Sequence, residues 1–204
     1  MFTGLVREIA QVKSLQDNKL TIIAKHKGKL GDSIAVNGAC LTIIEILENG
    51  FSLELSEESI KNIAIKSYKN LVHIEPALKT NDRLDGHFVQ GHIDGIGEIT
   101  KIIKHKIGTD FYIKTTQEIL SLCIPKGSIC INGISLTINE VLQNGIRLTI
   151  IPHTLQNTLL HTYKVGDEVN IETDMFARMI KHFLDRKPNS PLTWEAVDRI
   201  LGAY

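Results

Sequence analysis

Two stretches decide how this chain is organised: VNGACLTIIEILENGFSLEL, residues 36–55, and INGISLTINEVLQNGIRLTI, residues 131–150. Written one above the other without a gap, they agree at ten of twenty positions, where ordinary composition gives about one or two. The chain therefore carries an internal repeat. Upstream, FTGLVREIAQV from Phe2 lies over VQGHIDGIGEI from Val89, so that Gly4 stands 87 residues before Gly91. Asn37 stands 95 residues before Asn132, and the eight extra residues fall around HKIGTDFYIKTTQEILSLC, where loops absorb such changes. Downstream, Asn62 lies over Asn157 and Tyr68-Lys69 over Tyr163-Lys164, with two residues missing from the first copy where the second reads Val165-Gly166-Asp167. The copies span 1–87 and 88–174.

Two copies of this length are domain-sized, and too few for a solenoid or propeller. Within each copy, short β-branched runs at residues 20–24, 33–36, 41–46, 51–55 and 72–74 read as strands, with Asn49-Gly50 and Asn144-Gly145 as hairpin signals. Five or six strands in so short a chain curl into a compact barrel, which removes exposed sheet edges. After Asp174, a suitable N-cap, Met175, Phe176, Met179, Ile180, Phe183 and Leu184 recur at helical spacing. Lys187-Pro188 breaks that run, and Thr193 opens a second short one carrying Trp194, Val197, Ile200 and Leu201. The expected fold is mainly β: a tandem duplication of a small closed Greek-key-like barrel followed by a C-terminal amphipathic helix. The expected divisions are 1–87, 88–184 with the helix, and a tail at 185–204.

Lys plus Arg equals Asp plus Glu at 23 each, and aromatic content is 5%. The chain thus offers neither the basic field nor the stacking platforms that nucleic acid requires. No apolar run approaches the ~20 residues of a bilayer span, and the first residues do not read as a signal peptide, so no membrane association and a cytoplasmic location are expected. Cys40, Cys123 and Cys130 are odd in number and lack Cys-x-x-Cys spacing, which argues against a disulfide framework or a zinc site. His87 and His92, five apart, are a poor metal pair, and His87 reads as structural.

Generic catalytic signatures are missing from the sequence, so the informative positions are those where the copies differ. Gly4-Leu5-Val6 becomes Gly91-His92-Ile93, Ala39-Cys40-Leu41-Thr42 becomes Ile134-Ser135-Leu136-Thr137, and Leu55-Ser56-Glu57-Glu58-Ser59 becomes Ile150-Ile151-Pro152-His153-Thr154. A histidine in place of leucine beside a glycine brings a titratable group to a turn.

The opening MFTGLV, the pair Asn37-Gly-x-Cys40-Leu-Thr42 and Asn132-Gly-Ile-Ser135-Leu-Thr137, the joint Gly86-His-Phe-Val-Gln-Gly91-His92, and Val169-Asn-Ile-Glu-x-Asp174 together resemble the two-barrel, lumazine-binding family of riboflavin synthases. The resemblance covers about 1–186. It implies a homotrimer that needs no cofactor or metal, with two substrate molecules held at each active site between barrels of neighbouring subunits. It implies dismutation of two 6,7-dimethyl-8-ribityllumazines to riboflavin and 5-amino-6-(D-ribitylamino)uracil, the final step of riboflavin biosynthesis. Association with lumazine synthase is left open. Carried over position by position, one pocket takes Gly4, Leu5 and Val6 with Cys40, Leu41, Thr42, Glu54, Leu55, Ser56, Glu57, Glu58 and Ser59. The other takes Gly91, His92 and Ile93 with Ser135, Leu136, Thr137, Ile151, Pro152, His153 and Thr154, with Lys126 and Asp174 nearby. His92 is the expected proton carrier, and Cys40, Ser135 and Thr137 the expected nucleophilic and orienting groups. On this reading an isolated first copy carries a complete pocket. The alternative is a non-catalytic lumazine- or flavin-binding protein of antenna type; the presence of His92, Ser135, Thr137 and Asp174 favours the enzyme.

Overall fold

A computed structural model describes residues 1–186; the run that begins at Thr193 lies outside them. The two copies form two closed six-stranded antiparallel barrels. In the first, β1 (Glu8–Gln16), β2 (Lys19–Ile23), β3 (Ser33–Val36), β4 (Ala39–Leu47), β5 (Gly50–Glu54) and β6 (Leu71–Pro76) run around the wall as β1-β2-β5-β4-β3-β6, and β6 closes on β1. In the second, β7 (Gly95–Lys104), β8 (Thr109–Lys114), β9 (Ser128–Ile131), β10 (Ile134–Leu142), β11 (Gly145–Ile150) and β12 (Glu168–Thr173) repeat that order. Even the bulges repeat: β1 slips between Val12 and Ser14 and β7 between Ile99 and Lys101, while β4 and β10 slip at Ile43/Glu45 and Ile138/Glu140. A bulge sharpens local twist, which lets so short a sheet close.

Strand register places the eight-residue difference. Leu20 pairs with Leu53, and its counterpart Phe111 pairs with Leu148, so four of the added residues lie in the β7–β8 hairpin. The other four lie between β8 and β9, in the connection that carries α2 (Gln117–Leu120). Short helices α1 (Glu57–Asn62) and α3 (Pro152–Asn157) follow β5 and β11. A final helix, α4 (Met175–Asp185), starts at Asp174, whose carboxylate accepts the amides of Phe176 and Ala177. Among the described residues no helix is long and apolar enough to cross a membrane.

The Asn-Gly pairs play two different roles. At Asn49-Gly50 and Asn144-Gly145 the glycine is already the first residue of a strand, pressed against the backbone of Ile22 or Ile113, where a Cβ has no room. The left-handed turns are instead Asn37-Gly38 (φ 44° and 85°) and Asn132-Gly133 (φ 45° and 80°), the geometry for which Asn-Gly is suited. These two turns meet each other. A Cβ on Gly38 would stand 2.7 Å from the Gly133 nitrogen, and one on Gly133 would stand 2.8 Å from that of Gly38. Around them the contacts are reciprocal, as a local twofold axis requires. Asn37 Oδ1 accepts the His73 amide at 2.8 Å and Asn132 Oδ1 the Asn170 amide at 2.7 Å. The side chains of those residues then cross the axis, His73 Nδ1 donating to the Asn132 carbonyl at 2.9 Å and Asn170 Nδ2 to that of Asn37 at 2.8 Å.

His73 is where the two halves of this seam differ most. Its Nε2 accepts the Leu159 amide at 2.7 Å, so the ring is a neutral Nδ1–H tautomer, and burial brings its pKa down from 6.5 to about 4. A group whose folded pKa is depressed in this way binds its proton more readily when unfolded. Its contribution to stability is present above pH 6.5 and is lost as pH falls toward 4, amounting to about 3 kcal/mol in all. Burial raises the carboxyl pKa of Glu75 and Glu172, which act in the opposite sense near the carboxylate range, so the comparison must be with a variant that changes His73 alone. His73→Asn, which installs the partner barrel's solution, is expected to flatten the loss of stability between pH 6.5 and 4, read from denaturant midpoints. An unchanged slope would show that the seam does not sense this proton.

Candidate active site

Residues 2–6 lead into β1 and residues 89–93 into β7, and the two segments pair with each other as they pass the seam. The Phe2 amide donates to the Val89 carbonyl at 2.7 Å and the Val89 amide to the Phe2 carbonyl at 3.1 Å. A buried glutamate on the last strand of each barrel holds its own copy's segment. Glu75 accepts the Thr3 amide and hydroxyl, both at 2.7 Å, and the Gly4 amide at 3.0 Å; Glu172 accepts the Gln90 and Gly91 amides at 2.7 and 2.9 Å. Burial pushes both carboxyls up, while these donors hold them down.

Beyond the glutamates the segments exchange barrels. The Gly4 carbonyl accepts the amide of Ser135 at 2.7 Å, and the Gly91 carbonyl accepts that of Cys40 at 2.9 Å. Val6 packs on the core of the second barrel and Ile93 on the core of the first. This reverses the pairing expected from the repeat, in which Gly4, Leu5 and Val6 shared a pocket with Cys40, and His92 shared one with Ser135. Residues 1–87 alone hold only part of their own cavity, because Gly91, His92 and Ile93 complete it.

The first cavity has a volume of about 410 Å³ between the start of β4, helix α1 and the crossing segment, with Cys40, Ser56, Ser59, Asn62, Gly91, His92 and Ile93 on its walls. It adjoins a second space of about 390 Å³ over Thr42, Glu54, Ser56 and Glu57. Volumes in this range suit a ring system with a polar chain. Leu41 and Leu55 border it while belonging to the barrel core. Ser56 caps α1, accepting the Ser59 amide at 3.0 Å, and the two hydroxyls bond each other at 2.9 Å. Glu54 accepts Asn18 Nδ2 at 3.2 Å. Glu58 belongs to α1, with its side chain outside the described residues. Cys40 is half-buried, whereas Cys123 and Cys130 are buried with thiol pKa values pushed up by desolvation.

On the second barrel, Ser135 stands opposite Cys40's place, and its Oγ lies 2.7 Å from Nδ1 of His87. The His87 ring is buried, Nε2 has no partner among the described residues, and the amide is fixed to the Thr3 carbonyl at 3.1 Å. Burial lowers the His87 pKa, and the carboxylate of Asp174 opposes that shift. The ring is therefore neutral at neutral pH and able to receive a hydroxyl proton. His87 reads as structural in sequence as half of a poor metal pair with His92, and the comparison of copies, offset there by 87 residues, offers it no counterpart. Thr137 is exposed on β10 opposite Ser128, and Leu136 packs partly on the core. Ile151, Pro152 and His153 are exposed and Thr154 half-buried at the start of α3. Lys126 is exposed in the turn before β9 with φ 67°, at the position where the first copy has Gly31 with φ 84°. Holding a lysine there costs about 1–2 kcal/mol, a cost the first copy avoids.

The exchange makes a distinguishing prediction. A Cβ on Gly91 would stand 2.5 Å from the Cys40 Cβ, and one on Gly4 2.7 Å from the Ser135 Cβ, both on backbone with φ near 80°. Gly91→Ala should displace the segment over Cys40 and change its iodoacetamide alkylation rate, although the two residues belong to different copies. Gly4→Ala should leave that rate unchanged. The reverse pattern would mean that the segments stay on their own barrels.

The lumazine binding domain family model matches residues 3–77 and again 90–174. Riboflavin synthase of Actinobacillus pleuropneumoniae is 37% identical over 197 residues, covering 92% of both chains. Riboflavin synthase of Bacillus subtilis strain 168 is 33% identical over 208 residues, covering 98% of this chain and 96% of the relative. A crystal structure of LumP complexed with riboflavin has the same fold, with TM-score 0.77 at 22% identity over 85% of this chain and 99% of that one. With both barrels matched and relatives aligned almost end to end, the chain belongs to the lumazine-binding riboflavin synthase family.

Proposed function

We propose that the chain catalyses the dismutation of two 6,7-dimethyl-8-ribityllumazine molecules to riboflavin and 5-amino-6-(D-ribitylamino)uracil. The observation that carries this reading is the pair of equivalent sites, each completed by the other copy and each given a different polar side chain at one position: Cys40 in the first, Ser135 in the second. A reaction that consumes two copies of one molecule asks for two binding sites of one shape and unequal chemistry. Two tasks must be divided: removal of a proton from the C7 methyl of one lumazine, and addition of a nucleophile at C7 of the other. His92, exposed on the wall shared with Cys40, suits the proton transfer. Ser135, bonded to neutral His87 with Asp174 behind it, suits nucleophile activation, and Thr137 suits an orienting role. Most of the rate is assigned to holding two rings in contact.

Two bound substrates must disappear for each riboflavin formed, alongside one pyrimidinedione, anaerobically and with EDTA present. His92→Ala and His87→Ala should each lower kcat while leaving riboflavin affinity within about tenfold, or ~1.4 kcal/mol, because binding is spread over many contacts and proton transfer is not. Binding with zero turnover would instead identify an antenna-type protein. A ratio other than two to one would sever the link between duplicated barrels and duplicated substrate.

The proposal extends to a homotrimer acting in the cytoplasm, with the domain divisions 1–87, 88–184 and 185–204. Support for assembly comes from α4, where Phe176, Met179, Ile180, Phe183 and Leu184 are 48–78% exposed on a helix whose barrels already have their own cores. Ile180→Glu with Phe183→Glu, both exposed on α4, should convert the trimer to monomer in native mass spectrometry. A trimer that survives both charges would place the contacts elsewhere.

A further inference from the structure

The helix α4 touches more than solvent. Its Arg178 reaches back to the segment that carries His92: Nη1 donates to both oxygens of Asp94, at 2.9 and 2.8 Å, and Nη2 donates to Gln90 Oε1 at 2.8 Å. The guanidinium also stands 3.6 Å from the buried carboxylate of Glu172, which itself holds the Gln90 and Gly91 amides. Asp94 in turn accepts the Thr173 amide and hydroxyl at 2.7 and 2.6 Å. A second tie joins the same two elements, the rings of Phe88 and Phe176 meeting edge to face at 5.9 Å.

The first copy meets the same electrostatic demand differently. Its buried glutamate, Glu75, has the charge of Arg7 acting on it, and Arg7 is the counterpart of Asp94. The first segment therefore brings its own cation. In the second copy that position has changed sign, so Asp94 adds a negative charge that pushes the Glu172 carboxyl up, and the cation that pulls it down comes from Arg178. The counterpart of Arg178 in the first copy is Asn81, an exposed turn residue. Asp94 on the segment and Glu172 on β12, without a cation between them, repel each other across a weakly screened site.

We infer that Arg178 is a positioning residue for His92, and that α4 acts as a brace on residues 88–94 in addition to offering an apolar face. The imidazole of His92 makes no hydrogen bond among the described residues, so its place over the first cavity is set by backbone anchors on either side. One anchor is Gly91, fixed by Glu172 and by the amide of Cys40; the other is Asp94, whose amide donates to the Ile171 carbonyl at 2.9 Å and whose carboxylate is fixed by Thr173 and Arg178. The guanidinium fork is the group that joins both anchors. It lines neither the first cavity nor the space that adjoins it, and it acts through the segment.

The inference rests on the proposed dismutation for its kinetic readout, so the experiment carries a second readout that does not. Arg178→Gln and Arg178→Lys are compared with the unaltered full chain for kcat, for lumazine affinity by fluorescence titration, for mass in solution, and for hydrogen exchange of peptides covering residues 88–94. Arg178→Gln should lower kcat by about 10- to 100-fold, the scale of a misplaced catalytic group, with affinity held within about threefold. Exchange at 88–94 should rise while the barrel strands keep their protection. Arg178→Lys, which restores the charge without the fork, should recover part of the rate and part of the protection, falling between Arg178→Gln and the unaltered chain. The inference is overturned if Arg178→Gln loosens only α4, or if kcat falls solely because the assembly dissociates and returns when concentration restores it. If the unaltered chain shows no turnover, the dismutation fails, and exchange at 88–94 still decides the role of Arg178.

Discussion

The arrangement depends on the contact between two Asn-Gly turns. Gly38 and Gly133 lie so close that neither position admits a side chain, and both need φ near 80°. The flanking asparagines are buried, with relative exposures of 1% each, and each uses its carboxamide oxygen on the last strand of its own barrel. A hydrogen bond here contributes only about 1 kcal/mol, but a buried amide left unpaired costs about 1–3 kcal/mol. The seam is thus held less by attraction than by the cost of opening it. Its geometry also dictates where Phe2 and Val89 pair, and so where the leading segments cross from one barrel to the other.

A symmetric scaffold with unequal residues at equivalent places lets each difference be read as a choice between two solutions that the fold accepts. His73 and Asn170 both send one donor across the axis, but His73 then accepts the Leu159 amide, whereas Asn170 Oδ1 accepts that of Ala64 and Nδ2 also reaches the Tyr68 hydroxyl. Ser56 caps α1 through its hydroxyl; Ile151 makes no such cap, and Pro152 starts α3 instead. These pairs do the same structural task. Cys40 against Ser135, Gly31 against Lys126 and Arg7 against Asp94 do not, since each changes nucleophile, charge or backbone strain.

The repeat was enough to read two closed barrels from the sequence, because a register repeated over both copies admits one topology. The crossing of the segments was not legible. Aligning one copy with the other identifies which residues are equivalent, but Val6 finds an apolar core whether it stays or crosses, so the sequence pattern is the same for both arrangements. Strand β1 carries a weak sequence signal because its residues alternate only weakly, Ile9 being exposed and Ala10 buried. Helices α1 and α3, six residues each, are shorter than the length at which helical periodicity stands out and are fixed by caps and tertiary contacts. His87 lacked a counterpart, and its meaning came only with the 2.7 Å approach to Ser135.

Exchange has a physical consequence that a pair of independent barrels would not have. Gly4 is fixed at both ends of its peptide, its amide by Glu75 of the first barrel and its carbonyl by Ser135 of the second, and Gly91 is fixed likewise between Glu172 and Cys40. A rotation of one barrel against the other therefore cannot shift one crossing segment alone. It pulls on Gly4 and Gly91 together, through carboxylates that are buried and cannot follow into solvent without breaking three hydrogen bonds at Glu75 and two at Glu172. Packed interfaces respond to such loads as discrete alternatives and not by gradual stretch. The two crossing segments are thus set as a pair by the seam, and a chain that must hold two identical rings in complementary poses obtains matched walls from one set of contacts.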